Sequence, residues 1–246
     1  MRKLKLNKKV YKIPTSWNDI YLDKFLELRD LSMMKDKLSE IDYNLKYTSV
    51  FTDISVDELY SLPIDNLKEL MGEAFNIMNS QIPILTDLSI KLDGVNYDLD
   101  SNTKNLTYGQ FVDLELLLKD GNDVWEVAHK VTATFLRKSN TNRYKKLMCK
   151  IRHKINKDMD DGSIVKYDYH NMERASEVFY EQLPMPYIYT VIDFFLTYAN
   201  QLLASTVDSS QVTLQEMSQL VTEIQEIPIS STSTITDGTG TKQPEI

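Results

Sequence analysis

The sequence predicts a mainly α-helical chain with small β-hairpins, an α+β protein, on three observations. Glycine and proline are scarce, at seven each in 246 residues, while Leu, Lys, Asp, Met and Glu abound, which favours helices over a sandwich of short strands. A hairpin-then-helix pattern occurs twice, at an offset of 86 positions that places Tyr11 on Tyr97, Lys5 on Lys91, Leu6 on Leu92, Phe25 on Phe111 and Leu28 on Leu114. Most of the remaining chain up to Leu203 carries apolar residues at helical spacing. A hydrophobic content of 42% is enough to bury a core, and 26% charged residues is ordinary for a globular protein.

Each element has its own local reason. In the first unit Leu4 and Leu6, then Val10 and Ile13, flank "NK" and read as a strand pair, followed by a helix on Leu22, Phe25, Leu28 and Leu31 that Asp19 is placed to cap. Leu38 to Phe51 reads as a second helix, Ser55 with Glu58 as a capping box, and Leu67, Leu70, Met71, Ala74, Phe75 and Met78 as a further helix after Pro63. In the second unit Ile90 and Leu92, then Val95, Tyr97 and Leu99, flank Asp93-Gly94, a strong hairpin signal. Thr107 with Gln110 then opens a helix whose stripe is Leu106, Phe111, Leu114 and Leu118, and a helix from Val124 to Leu136 follows. Further on come a helix on Met172, Ala175, Phe179 and Leu183, a break at Pro184 and Pro186, and an apolar helix on Ile188, Val191, Ile192, Phe195, Leu196, Ala199 and Leu203. That last stretch nears membrane-span length, but Asp193, Asn200, Gln201 and its tyrosines favour a buried helix, and no membrane contact is expected. Thr213 with Glu216 starts a final helix. The expected organisation is a first unit at 1–86, a second at 87–160, a helical region at 161–228, and an extended or disordered tail at 229–246 too polar to build a core.

Charge is uneven. Between Arg137 and Lys157 stand nine Lys or Arg and no acid, in a chain of net charge −8. On a helical wheel Arg143, Lys146, Lys150, Lys154 and Lys157 form one narrow arc beside an apolar arc of Tyr144, Leu147, Met148, Ile151 and Ile155. A basic helix of this kind meets an acidic protein, tracks nucleic-acid phosphates, or is simply solvated.

Signals for chemistry are sparse. The histidines His129, His153 and His170 are scattered, and His129 reads as a core or boundary residue. Asp158, Asp160, Asp161 and Gly162 fall one residue short of a calcium-loop spacing and read as a turn. Cys149 has no partner for a disulfide and reads as a structural thiol in a reducing compartment, and Met1 to Lys9 alternates basic and apolar residues where a secretory signal has an apolar core. No enzyme, cofactor or metal is expected.

The succession "YKIPTSWNDIYLDKFLEL", "SVFTDISVDELYSLPIDNLKEL", "KLDGVNYDLDSNTKNLTYGQFVDLELLL" and "PYIYTVIDFFLTYANQLL" resembles a group of tailed-phage virion and tail-assembly proteins, especially from phages of gut Bacteroidales, including crAss-like phages. The resemblance implies a non-enzymatic structural component of a bacteriophage virion. It would be a ring or head-tail connector in the portal-tail region, or an internal cargo protein. The expected partners are portal, ring or tail proteins, further copies in a symmetric homo-oligomer, and packaged DNA. Localisation in the virion, and in the host cytoplasm during assembly, follows. A tail-assembly chaperone absent from the mature particle and a DNA-associated phage protein using the basic helix are the alternatives.

Overall fold

The computed structural model describes residues 1–6, 9–100, 106–119, 123–139 and 164–205, without the side chains of 200–205. It is mainly helical with two small antiparallel sheets. The order is β1 (Arg2–Leu6), β2 (Lys9–Ile13), α1 (Leu22–Met33), α2 (Glu40–Thr52), α3 (Val56–Tyr60), α4 (Ile64–Met78), β3 (Ser89–Leu92), β4 (Val95–Leu99), α5 (Tyr108–Lys119), α6 (Ala128–Phe135), β5 (Leu136–Lys138), α7 (Tyr169–Gln182) and α8 (Met185–Ser205).

The two hairpins obey the sequence offset in their pairing as well as their position. Leu4 pairs with Tyr11 in β1–β2, and Ile90 with Tyr97 in β3–β4, each residue displaced by 86. The same shift carries α1, Leu22–Met33, onto α5, Tyr108–Lys119. Asp93 at φ 47° and Gly94 at φ 79° make the tight two-residue turn of the second hairpin, a conformation glycine adopts without strain.

Beyond those elements the units diverge. In the second, α6 stops at Phe135 and β5 joins the hairpin as a third strand, placing Arg137 opposite Asp98 and Leu136 opposite Leu99. The expected helix from Val124 to Leu136 is therefore shorter: Val124 to Val127 form a turn, and Leu136 has left the helix. At the corresponding place in the first unit α2 stays helical to Thr52 and closes on Asp53 in the left-handed region, φ 58°.

Capping follows the sequence in part. Ser39 accepts from the Asp42 amide at 3.1 Å and starts α2 two residues later than Leu38, after a short 3-10 turn at Lys35–Lys37. Ser55 accepts from the Glu58 amide at 3.3 Å, and Thr107 and Gln110 bond reciprocally, Gln110 N to Thr107 Oγ1 at 3.3 Å and Thr107 N to Gln110 Oε1 at 3.0 Å. Asp19 does not cap α1. It lies in a 3-10 turn, Trp17–Asp19, where its carboxylate accepts from the Thr15 amide at 2.9 Å, and Tyr21 stands at the N-terminus of α1 without a side-chain cap. Pro184 ends the link from α7, while Pro186 sits inside the first turn of α8, where its missing N–H breaks no bond.

One core joins the pieces. Phe25 of α1 packs between Trp17 (6.4 Å) and Trp125 (5.1 Å), and Trp125 stacks on Tyr189 of α8 at 6.2 Å. Met185 N donates to Ile20 O at 2.8 Å, so α8 is pinned to the entry of α1. On the other side Tyr97 meets Phe179 of α7 edge to face at 5.0 Å. Val191, Ile192 and Phe195 bury one side of α8, and no described helix is long and apolar enough to cross a membrane.

Candidate interaction surface

The first hairpin presents two unlike faces. Its inner face is bound to the helices through charged groups. Arg2 forks across one turn of α4, Nη1 to Glu69 and Nη2 to Glu73, both at 2.8 Å. On β2, Tyr11 donates to Glu58 at 2.6 Å and Lys9 to the other oxygen of the same carboxylate at 2.9 Å, while Ser55 adds a third donor at 3.0 Å. Those hydrogen bonds, Tyr11 first and Lys9 next, hold the Glu58 carboxyl down at about 2.

The outer face is different. Strand alternation points Lys3 and Lys5 of β1 and Val10 and Lys12 of β2 into solvent, with Val10 58% exposed. The register sets Lys3 directly opposite Lys12 and Lys5 opposite Val10. Like charges directly opposite on one face of a strand pair repel, and none of Lys3, Lys5 and Lys12 has an ion pair among the described residues. Of the apolar residues on β2, Tyr11 and Ile13 are the inward pair, because the two share strand parity and Val10 does not.

The second unit shows what the hairpin requires for folding. Shifted by 86, the outer positions become Ser89, Lys91, Asn96 and Asp98, of which Ser89 donates to Asp98 at 2.5 Å and Ser139 also bonds Asp98. The same scaffold therefore forms with one cation in place of three. The lysines of the first copy are additions to the fold rather than conditions of it.

A second charged surface lies along α1. Asp23, Glu27 and Asp30 share a side of the helix and, with Asp53 after α2 and Glu126 before α6, line an open groove of about 520 Å³ whose cations are Lys24 and Arg29. Lys24 is engaged by Asp53 at 2.7 Å, and Arg29 by Asp30 at 3.2 Å and Asp123 at 2.5 Å. Glu27 and Glu126 have no ion pair among the described residues.

The residues singled out from the sequence fare as follows. Arg143, Lys146, Lys150, Lys154 and Lys157 lie outside the described residues, as do Cys149, His153, the Asp158 to Gly162 run and the Thr213 capping box. Arg137 and Lys138, at the head of the basic run, belong to β5, and Arg137 is paired with Asp100. The strand register with β4 overrides helical continuation there. His129 stands in the first turn of α6 rather than mid-helix, edge-on to Tyr180 at 5.2 Å, and burial, then Lys130, lowers its pKa to about 4. Among the described residues no three His, Cys, Asp or Glu side chains cluster as metal ligands would. Missing from the sequence reading was the lysine face itself, although its signal is plain: residues 1–13 hold Arg2, Lys3, Lys5, Lys8, Lys9 and Lys12 with no acid. No family model, curated protein or solved structure matches the chain.

Proposed function

We propose that the chain is a non-enzymatic structural component of a tailed-bacteriophage particle, acting in the portal-tail region as a ring or connector, or packaged as internal cargo. The observation that carries this reading is the outer face of β1–β2, where three lysines with no ion pair among the described residues surround an exposed valine on a protein of net charge −8. A rigid, self-repelling cationic sheet face that the duplicated unit does without is suited to contact with an acidic partner. The resemblance of the sequence pattern to phage virion and tail-assembly proteins supplies the proposed biological setting.

Mechanistically the role is assembly. The inner face clamps the hairpin to α3 and α4 through Glu58, Glu69 and Glu73, so that the outer face is held in place before a partner arrives. Pre-organisation of this kind lowers the ordering cost of association. Quantitative mass spectrometry of purified particles before and after triggered genome ejection tests the reading. Stoichiometric retention by the emptied shell identifies a ring or connector, and loss with the DNA identifies cargo. Absence from both samples overturns the reading in favour of a tail-assembly chaperone.

A further inference from the structure

We infer that the lysine face of β1–β2 docks on the acidic groove along α1 in a second copy of the same chain. The inference deepens the assembly reading and rests on it for its biological sense, but it concerns the purified protein and is tested there.

Each surface carries a local electrostatic cost that the other relieves. On the hairpin, Lys3 stands across from Lys12, a like-charge pair that disfavours the strand pairing. On α1, Asp23 and Glu27 are four residues apart and Glu27 and Asp30 three, which places like charges one turn apart along the exposed side. The groove has five carboxylates against two cations, and both cations are already engaged, Lys24 by Asp53 and Arg29 by Asp30 and by Asp123 outside the lining. Neither surplus is neutralised within its own surface.

The dimensions agree. Lys3 and Lys5 are two strand positions apart, about 7 Å, and Lys3 and Lys12 face each other at about 5 Å between Cβ atoms. The acidic row from Asp23 to Asp30 spans seven helical positions, about 10 Å. Three lysine side chains rooted about 5–7 Å apart, on long flexible stems, can thus reach carboxylates spaced one helical turn apart. Val10, at the centre of the basic face, finds an apolar counterpart in Leu26, a partly buried side chain lining the groove.

A second copy fits better than a nucleic acid. The net charge of −8 opposes approach of a polyanion and of another copy alike, but another copy also presents the acidic groove that complements the lysine face, so the attraction is local, between patches of opposite sign. The two surfaces come from different elements, β1–β2 on one side and α1, Asp53 and Glu126 on the other, so the contact joins unlike patches. Such a contact closes as a reciprocal pair or propagates into a ring. A face of four residues is far below the roughly 1,200–2,000 Å² of a stable interface, so association of the free protein is weak and salt-sensitive, and gains strength from repetition.

The test is sedimentation velocity on the full chain at 50 and 500 mM salt, with a charge swap. The expected result is concentration-dependent association at low salt that disappears at high salt. Lys3→Glu/Lys5→Glu/Lys12→Glu and Glu27→Lys/Glu126→Lys each weaken self-association at least tenfold, and an equimolar mixture of the two recovers a mixed complex. The milder Lys3→Gln/Lys5→Gln/Lys12→Gln variant, with circular dichroism as the folding control, moves the same way with a shallower salt dependence. A wild-type monomer at low salt, unchanged association in the folded variants, or a mixture without recovery overturns the inference. A wild-type monomer that retains duplex DNA, and loses it in the Gln variant, overturns it in favour of a nucleic-acid face. Particle mass spectrometry decides the assembly reading separately, since a virion component need not contact its own copies through these surfaces.

Discussion

Glu58 takes donors from Tyr11, Lys9 and Ser55, and its carboxyl is held near 2 against an ordinary value of 4.5. A depressed carboxyl stabilises the fold in its ionised form. Its contribution is complete above pH 4.5 and is lost as pH falls toward 2. Glu58→Gln should therefore lower the thermal midpoint at neutral pH and narrow its difference from wild type across that window, as measured by thermal denaturation at a series of pH values. His129 acts at higher pH. Burial keeps the imidazole neutral in the folded chain down to about 4, whereas the unfolded chain takes up a proton below 6.5. Stability falls as pH drops from 6.5 to about 4, and His129→Phe should flatten the thermal midpoint over that interval. These pairings were hidden in the sequence: Glu58 was legible as a capping-box residue, but its bonds to Lys9 and Tyr11 cross 49 and 47 positions.

The duplicated elements allow paired predictions. Phe25 and Phe111 occupy equivalent positions on α1 and α5, yet Phe25 is 7% exposed beneath two tryptophans and Phe111 is 46% exposed. Phe25→Ala should cost about 3–5 kcal/mol and Phe111→Ala less than about 1 kcal/mol in chemical denaturation. In the second hairpin, Gly94 at φ 79° has nothing within 4 Å of an added Cβ, so Gly94→Ala loses only backbone preference, roughly 1–2 kcal/mol, and Gly94→Asn less. Hairpins and most helices were readable because their signals are local: Asp-Gly at the turn, Ser or Thr at the caps, apolar residues at three- and four-residue spacing. The third strand was not. "LRK" continues the apolar pattern of α6 without a breaker, and only its pairing with β4, some forty positions earlier, turns it into strand. Phe111 shows the same limit, since its place in an apolar stripe does not reveal that α5 leaves that position uncovered.

At the scale of the molecule, the lysine face was visible as alternation in the first thirteen residues, but its meaning depended on knowing which strand parity faces the core and that Arg2 and Lys9 have carboxylate partners while Lys3, Lys5 and Lys12 have none among the described residues. The repeat sharpens that meaning, because the second hairpin keeps the register and replaces two of the lysines with Ser89 and Asp98. Fold and surface have thus separated within one chain. The proposed role of this surface in particle assembly is tested most directly by the copy number of the chain per purified particle, for wild type and for Lys3→Gln/Lys5→Gln/Lys12→Gln. The expected result is a fixed stoichiometry for wild type and a clear depletion of the folded variant. A wild-type chain absent from particles, or a variant incorporated as fully as wild type, would contradict the account.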